Sequence, residues 1–171
     1  NKLLAEVQTV DALIHVLRCF DDENIPHSEG SIDPVRDMEL VDLELQVRDL
    51  DLVTRKLQRV EKLMKNGEKD NKKAYEVLTV YKEALENMQN ARDAQVADED
   101  KKYIQDIQLL TAKPIMYVCN VDDASALTGN KYTEAVKASL KEGDEMLIIA
   151  GKLESEIAEL DDEDNAMFME D

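Results

Sequence analysis

The chain has 171 residues, enough for one domain or for one domain with an appendage. It carries 39 Asp and Glu against 21 Lys and Arg, a net charge of −18, which excludes a general nucleic-acid-coating surface because phosphate repels it. With no Trp, 5 Tyr and 2 Phe the core has to be aliphatic, and no apolar run reaches the roughly 20 residues of a membrane-spanning helix.

Taken in chain order, Asn1 to Val10 sets Leu3, Leu4 and Val7 on one helical face, so a helix is expected to lead into the first strand. That strand is Ala12 to Phe20 (ALIHVLRCF). Two more apolar runs, Pro114 to Val121 (PIMYVCNV) and Glu145 to Gly151 (EMLIIAG), also read as strands. None alternates cleanly, which suits strands buried on both faces of a parallel sheet. Between the second and third runs Tyr132, Ala135, Val136 and Leu140 recur at helical spacing over Asn130 to Glu142, and Gly143 supplies a stop. Strand, helix and strand in about 37 residues predict a right-handed βαβ unit.

The first and second strands are separated by about 93 residues, far more than a crossover needs. The inserted segment has its own period. Leu43, Leu50, Leu57 and Met64 repeat every seven residues, with Val53 and Val60 between them. After a polar break at Lys65 to Lys73, Ala74, Val77, Tyr81, Ala84 and Met88 step by three and four, broadened by Leu78 and Leu85. Two such helices joined by a Gly-containing turn predict an antiparallel coiled-coil hairpin. Asp33 caps its start and Pro34 takes the first helical position. Asp98 to Leu110 is expected to be a short helix returning to the sheet, and the acidic segment Glu154 to Asp171, with Ile157, Leu160 and Met167 at helical intervals, to be a solvated helical pair. The expected class is therefore α/β: a partial parallel sheet of about three strands with flanking helices and the inserted hairpin. Residues 1–33 and 111–171 form the sheet domain and 34–110 the insertion.

Cys19 and Cys119 lie inside apolar runs and read as reduced core thiols. With no secretory leader and no membrane span, a cytoplasmic location is expected. His15 sits mid-strand and reads as a core histidine, and His27, in the loop after the first strand, reads as structural. No Ser-His-Asp spacing, H-E-x-x-H or paired C-x-x-C is present, so hydrolase triads and zinc sites have no support.

Ligands of open parallel sheets bind beyond the carboxyl ends of the strands. There the sequence offers Asn120-Val121-Asp122-Asp123 after the second strand and Ala150-Gly151-Lys152 after the third. An amide and a carboxylate on one strand-end loop can grip a purine edge, and a small residue pair lets backbone N–H groups approach the base. The same residues also make plain turns, and spacing does not separate the two readings. A second candidate is the hairpin tip. Arg55 to Lys73 holds eight basic and three acidic residues inside an otherwise acidic chain, and Lys65, Lys69, Lys72 and Lys73 are its candidate phosphate contacts. Solvated coiled-coil flanks carry Lys as well, so both readings stand.

Arg18-Cys19-Phe20, the run His27 to Pro34 (HSEGSIDP), Leu110 to Asp122 (LTAKPIMYVCNVD) and Gly151 to Leu160 (GKLESEIAEL) together resemble the Obg-like ATPases of the YchF type, in their order and approximate spacing over essentially the whole chain. The resemblance implies a P-loop nucleotide hydrolase with a nucleotide-binding domain, a coiled-coil insertion and a C-terminal TGS domain. Where ordinary GTPases carry N-K-x-D, this family carries N-x-x-E. The matching positions here are Asn120, Val121, Asp122 and Asp123, so Asp123 stands for the family's Glu and Val121 for the Lys of ordinary GTPases. ATP is favoured by the resemblance and GTP stays open. Ala150-Gly151, followed by Lys152, matches the box that carries Ser-Ala or Cys-Ala in relatives.

The phosphate-binding loop, both switches, the magnesium-linked Asp and the TGS domain are expected outside this segment. The segment alone is thus expected to be inactive, with Mg2+ and ATP or GTP bound by the intact protein. The implied role is nucleotide-dependent regulation of translation or stress response at the ribosome, with no membrane or DNA partner. The competing reading is a non-enzymatic coiled-coil module that binds ribosomal RNA or a protein.

Overall fold

The computed structural model describes residues 12–21, 31–67 and 71–150, and the backbone of 156–160. The expected N-terminal helix, His27, Lys69, Gly151, Lys152 and Met167 lie outside the described residues. By contacts the chain divides into two compact units, Asn1–Leu40 with Pro114–Asp171, and Val41–Lys113.

The first unit is built on a four-stranded sheet in the order β3-β2-β1-β4, with β1 at Ala12–Arg18, β2 at Ile115–Val121, β3 at Glu145–Ala150 and β4 at Glu156–Leu160. β1, β2 and β3 are mutually parallel, with Leu13 opposite Ile115, Arg18 opposite Asn120, Asn120 opposite Ile149 and Val121 opposite Ala150. β1 and β2 are buried nearly throughout, as their near-continuous apolar runs require. On one face Ile14, Val16 and Val118 form a cluster with Met116 and Ile149.

Two expectations change here. β3 is a half-exposed edge, with Leu147 52% exposed. A short apolar run reports a strand's own composition and not the number of its neighbours. The segment expected to be helical at its Ile157 and Leu160 is instead a strand, β4, antiparallel to β1 (Ala12 opposite Leu160). The physical reason is hydrogen-bond accounting. β1 is buried, so the N–H and C=O groups on both of its edges need partners, and β2 satisfies only one edge.

Helix α3, Lys131–Ser139, connects β2 to β3. It starts with a full capping box: the Asn130 side chain accepts from the Tyr132 and Thr133 backbone N–H groups, while Thr133 Oγ1 accepts from the Asn130 N–H at 2.8 Å. The helix ends four residues before Gly143, which lies in the following turn at φ +91.

The second unit contains most of α1, Pro34–Lys65, and all of α2, Asn71–Glu86. As the sequence predicts, Asp33 Oδ1 caps α1 by accepting the Arg36 N–H at 3.1 Å. Val53, Leu57 and Val60 of α1 share a core with Ala74, Val77, Leu78, Tyr81 and Leu85 of α2, each buried Val or Leu contributing about 1.5–3 kcal/mol. Ala91, Ile104 and Leu109 join this core, so the two helices are covered by a third layer and do not form a bare pair. Ile104 comes from Asp98–Ile107, a 3-10 helix within the span where a short helix is expected. Its three-residue turn stacks Ile104 and Ile107, three apart, on the same core.

The α1 seam also differs from the apolar heptad. Leu43 is 44% exposed, whereas Gln46 and Asp49 are buried. Asp49 is the anchor: Oδ1 accepts from the Leu110 N–H at 2.9 Å, and Oδ2 accepts from the Thr111 N–H at 2.7 Å and the Thr111 hydroxyl at 2.6 Å. Burial pushes the Asp49 carboxyl above its usual range, while these hydrogen bonds and Arg48 pull the other way. Gln46 donates to Asn90 Oδ1 at 2.8 Å, and Arg92 donates to the carbonyls of Thr111 and Lys113.

Candidate functional site at the strand ends

The parallel register brings three of the sequence-predicted residues to the C-terminal edge of the sheet. Asn120 and Val121 end β2, and Ala150, opposite Val121, ends β3. Val121 is buried and Ala150 exposed, and Asn120 is fully buried, so in this conformation its amide faces protein. Asp123 opens a short 3-10 turn, Asp123–Ser125, and is exposed. The turn is closed by the Ser125 N–H to the Asp122 carbonyl and by the Gly129 N–H to the Ser125 carbonyl at 2.8 Å. The carboxyl edge thus sets a buried amide at the strand end beside an exposed carboxylate on the adjoining loop, and a carboxylate can accept N–H donors.

Residues not singled out as site residues in the sequence complete this edge. Arg18, buried, stands opposite Asn120 in the register, with its guanidinium 5.0 Å from the Phe20 ring. Asn130 Nδ2 donates to the Cys19 carbonyl at 2.7 Å. Tyr132 donates its hydroxyl to Asp21 Oδ1 at 2.5 Å, and this bond, then burial, pushes the phenol up to about 12. The signal for Asn130 was present: Asn followed three residues later by Thr, just before a helical apolar period, marks an N-cap. Arg18 has no such local signal, because an Arg inside an apolar strand is identified only by its neighbour across the sheet.

Beneath the edge, Cys19 and Cys119 are both buried free thiols; their mutual hydrogen bond and burial push the Cys19 thiol well up, so it stays protonated. His15 is buried against Tyr117, with ring centroids 5.9 Å apart, and burial lowers its pKa to about 4. It is neutral at pH 7 and is a core histidine, as the sequence indicates. Among the described residues no three His, Cys, Asp or Glu side chains come together as a metal site. No described helix is long and apolar enough to cross a membrane.

The basic tip is more compensated than its sequence suggests. Lys65 pairs with Glu61 at 3.4 Å, and Arg55 with Asp51 at 3.1 Å. Lys73 pairs with Asp100 at 3.5 Å and Lys56 with Asp106 at 2.5 Å. Asp100 and Asp106 lie outside the Arg55-to-Lys73 window, and the 3-10 segment packed on the helices brings them in. Lys72 is exposed, and Lys65 and Lys73 keep 74% and 55% of their side chains exposed.

A three-stranded parallel sheet with a helical crossover and a polar loop at its carboxyl end defines an α/β protein of the open-sheet class. Among solved structures the chain is similar to the Schizosaccharomyces pombe YchF GTPase, with a TM-score of 0.76 and 29% identity over 86% of this chain and 42% of that one. Along its whole length it is 39% identical to the ribosome-binding ATPase YchF of Bacillus subtilis and 37% identical to that of Haemophilus influenzae. It is 30% identical to Obg-like ATPase 1 of Caenorhabditis elegans. No family model matches. The chain belongs to the YchF and Obg-like ATPase family, and it spans about half the length of the curated relatives it matches, 48%, 47% and 45% of these three.

Proposed function

We propose that this chain supplies the base-recognition edge and the helical arm of a ribosome-associated nucleotide hydrolase acting in the cytoplasm, with ATP favoured over GTP. The observation that carries the reading is the meeting of Asn120, Asp123 and Ala150 at the carboxyl edge of a parallel sheet, in a chain whose relatives are named ribosome-binding ATPases. In this reading Asp123 accepts N–H groups from the base edge, Asn120 fixes the loop that carries it, and Ala150 with Gly151 and Lys152 borders the base. Nucleotide phosphates and Mg2+ are held by other parts of the whole protein, so residues 1–171 alone bind nucleotide weakly and do not hydrolyse it. The sheet unit is the nucleotide-binding half, and Val41–Lys113 is the insertion that reaches a partner.

Calorimetric titration of ATP and GTP with Mg2+ into the full-length protein tests this. Wild type is expected to bind ATP more tightly than GTP, and Asn120→Ala to bring the two within about threefold. Failure of the full-length protein to bind either nucleotide sinks the reading.

For ribosome contact the reading assigns Lys65, Lys69, Lys72 and Lys73 at the helical tip, the part of an acidic chain with the densest positive charge. Reversing all four charges to Glu is expected to abolish co-sedimentation of the full-length protein with ribosomes. Unchanged co-sedimentation removes the tip from the interface.

A further inference from the structure

We infer that Asn130 is a positioning residue for base discrimination, acting by closing the Asn120–Asn130 loop onto a single residue, Cys19, which directly follows β1. The inference deepens the base-recognition reading above and depends on it.

The geometry is a bracket around one residue. The Cys19 N–H donates to the Asn120 carbonyl at 2.8 Å, and the Cys19 carbonyl accepts from Asn130 Nδ2 at 2.7 Å. The loop that carries Asp123 therefore begins and ends on the same residue, 111 positions away from Asn130 in sequence. The amide's orientation is fixed by its other end: Oδ1 accepts from the Tyr132 N–H at 2.9 Å and the Thr133 N–H at 3.0 Å, which leaves only Nδ2 to face Cys19. A second tie runs parallel to the first, from the Tyr132 hydroxyl to Asp21.

Capping alone does not explain the choice of residue. Asp, Ser and Asn cap helices about equally well, because only a side-chain oxygen is used. Asn adds a donor, and here that donor makes the link to Cys19, just after β1. The two roles can thus be separated by substitution. Asn130→Asp keeps an oxygen for Tyr132 and Thr133 and places a second oxygen against the Cys19 carbonyl, where a donor is needed. Asn130→Ser keeps the cap and removes the second arm.

With the bracket open at one end, Asp123 loses its fixed distance from the sheet edge. Base contacts then weaken while phosphate contacts, made elsewhere, do not. The expected signature is a rise of about tenfold in the KM for ATP with kcat unchanged within about twofold, and a reduced preference for ATP over GTP. In the 171-residue chain, amide hydrogen exchange at Ser125 and Gly129, whose N–H groups close the loop, is expected to accelerate about tenfold in both variants.

The test measures exchange in this chain, and ATP and GTP kinetics of the full-length protein, for wild type, Asn130→Asp, Asn130→Ser and Asn120→Ala. Faster loop exchange with a raised KM, at a melting midpoint within about 2 °C of wild type, supports the proposal. Wild-type kinetics and exchange in Asn130→Asp overturn it. A fall in melting midpoint in both variants with unchanged nucleotide preference also overturns it, since the role is then only structural. Should Asn120→Ala retain full discrimination as well, the base-recognition reading itself fails. If Asn120→Ala loses discrimination and Asn130→Asp does not, only the positioning role fails.

Discussion

The two compact units of this chain are stabilised by different chemistry. In the sheet unit β1 and β2 are apolar almost without interruption, and burial lowers the pKa of His15 to about 4, so that it stays neutral at pH 7. In the helical unit an apolar seam is combined with a buried carboxylate that takes three hydrogen bonds from one turn. Non-directional burial tolerates rearrangement, whereas a carboxylate aimed at particular N–H groups fixes which turn meets which helix. In the helical unit the carboxylate thereby holds the return path, Leu110–Ala112, in register with α1.

Removing the carboxylate breaks the comparison most severely. Asp49→Ala leaves the Leu110 and Thr111 N–H groups and the Thr111 hydroxyl buried without their acceptor, and is expected to destabilise the helical unit by roughly 3–4 kcal/mol. Urea unfolding followed by helical circular dichroism measures this, and a loss below about 1 kcal/mol would show that the apolar seam alone specifies the arm.

The sheet should respond to acid through His15. Its folded pKa, about 4, lies below the ordinary histidine value of 6.5, so between these pH values the unfolded chain binds more protons. The contribution is therefore complete above pH 6.5 and is lost as pH falls toward 4, amounting to roughly 3 kcal/mol. Comparison of wild type with His15→Leu over that window should show a shallower pH dependence in the variant. Parallel curves would refute the assignment.

A smaller effect is expected where backbone geometry decides. Gly129 has φ +76, and a Cβ there would lie 2.6 Å from Thr133 Oγ1, in the middle of the capping box. Gly129→Ala should cost about 1–2 kcal/mol, read as a lower thermal midpoint, and an unchanged midpoint would mean that the box does not hold the start of α3.

Much of this organisation is legible along the chain because it depends on local period and composition. The three apolar runs, the inserted segment with its Asp33 cap, the α2 stripe from Ala74 to Leu85 and the buried character of His15, Cys19 and Cys119 all follow from what each residue is and how often it recurs. What the tertiary structure alone decided is what depends on partners distant in sequence. β4 forms because β1 has a second edge to satisfy, and β3 is exposed because nothing among the described residues pairs with its outer edge. The α1 seam runs through Gln46 and Asp49, polar residues whose burial becomes favourable only once Asn90, Leu110 and Thr111 meet them. The positive tip is moderated by Asp100 and Asp106, brought in from another segment. Asn120, Asp123 and Ala150 were legible in the sequence as candidates, whereas Asn130's bond to Cys19 needed the fold, because a hydrogen bond across 111 residues leaves no periodic trace in the chain.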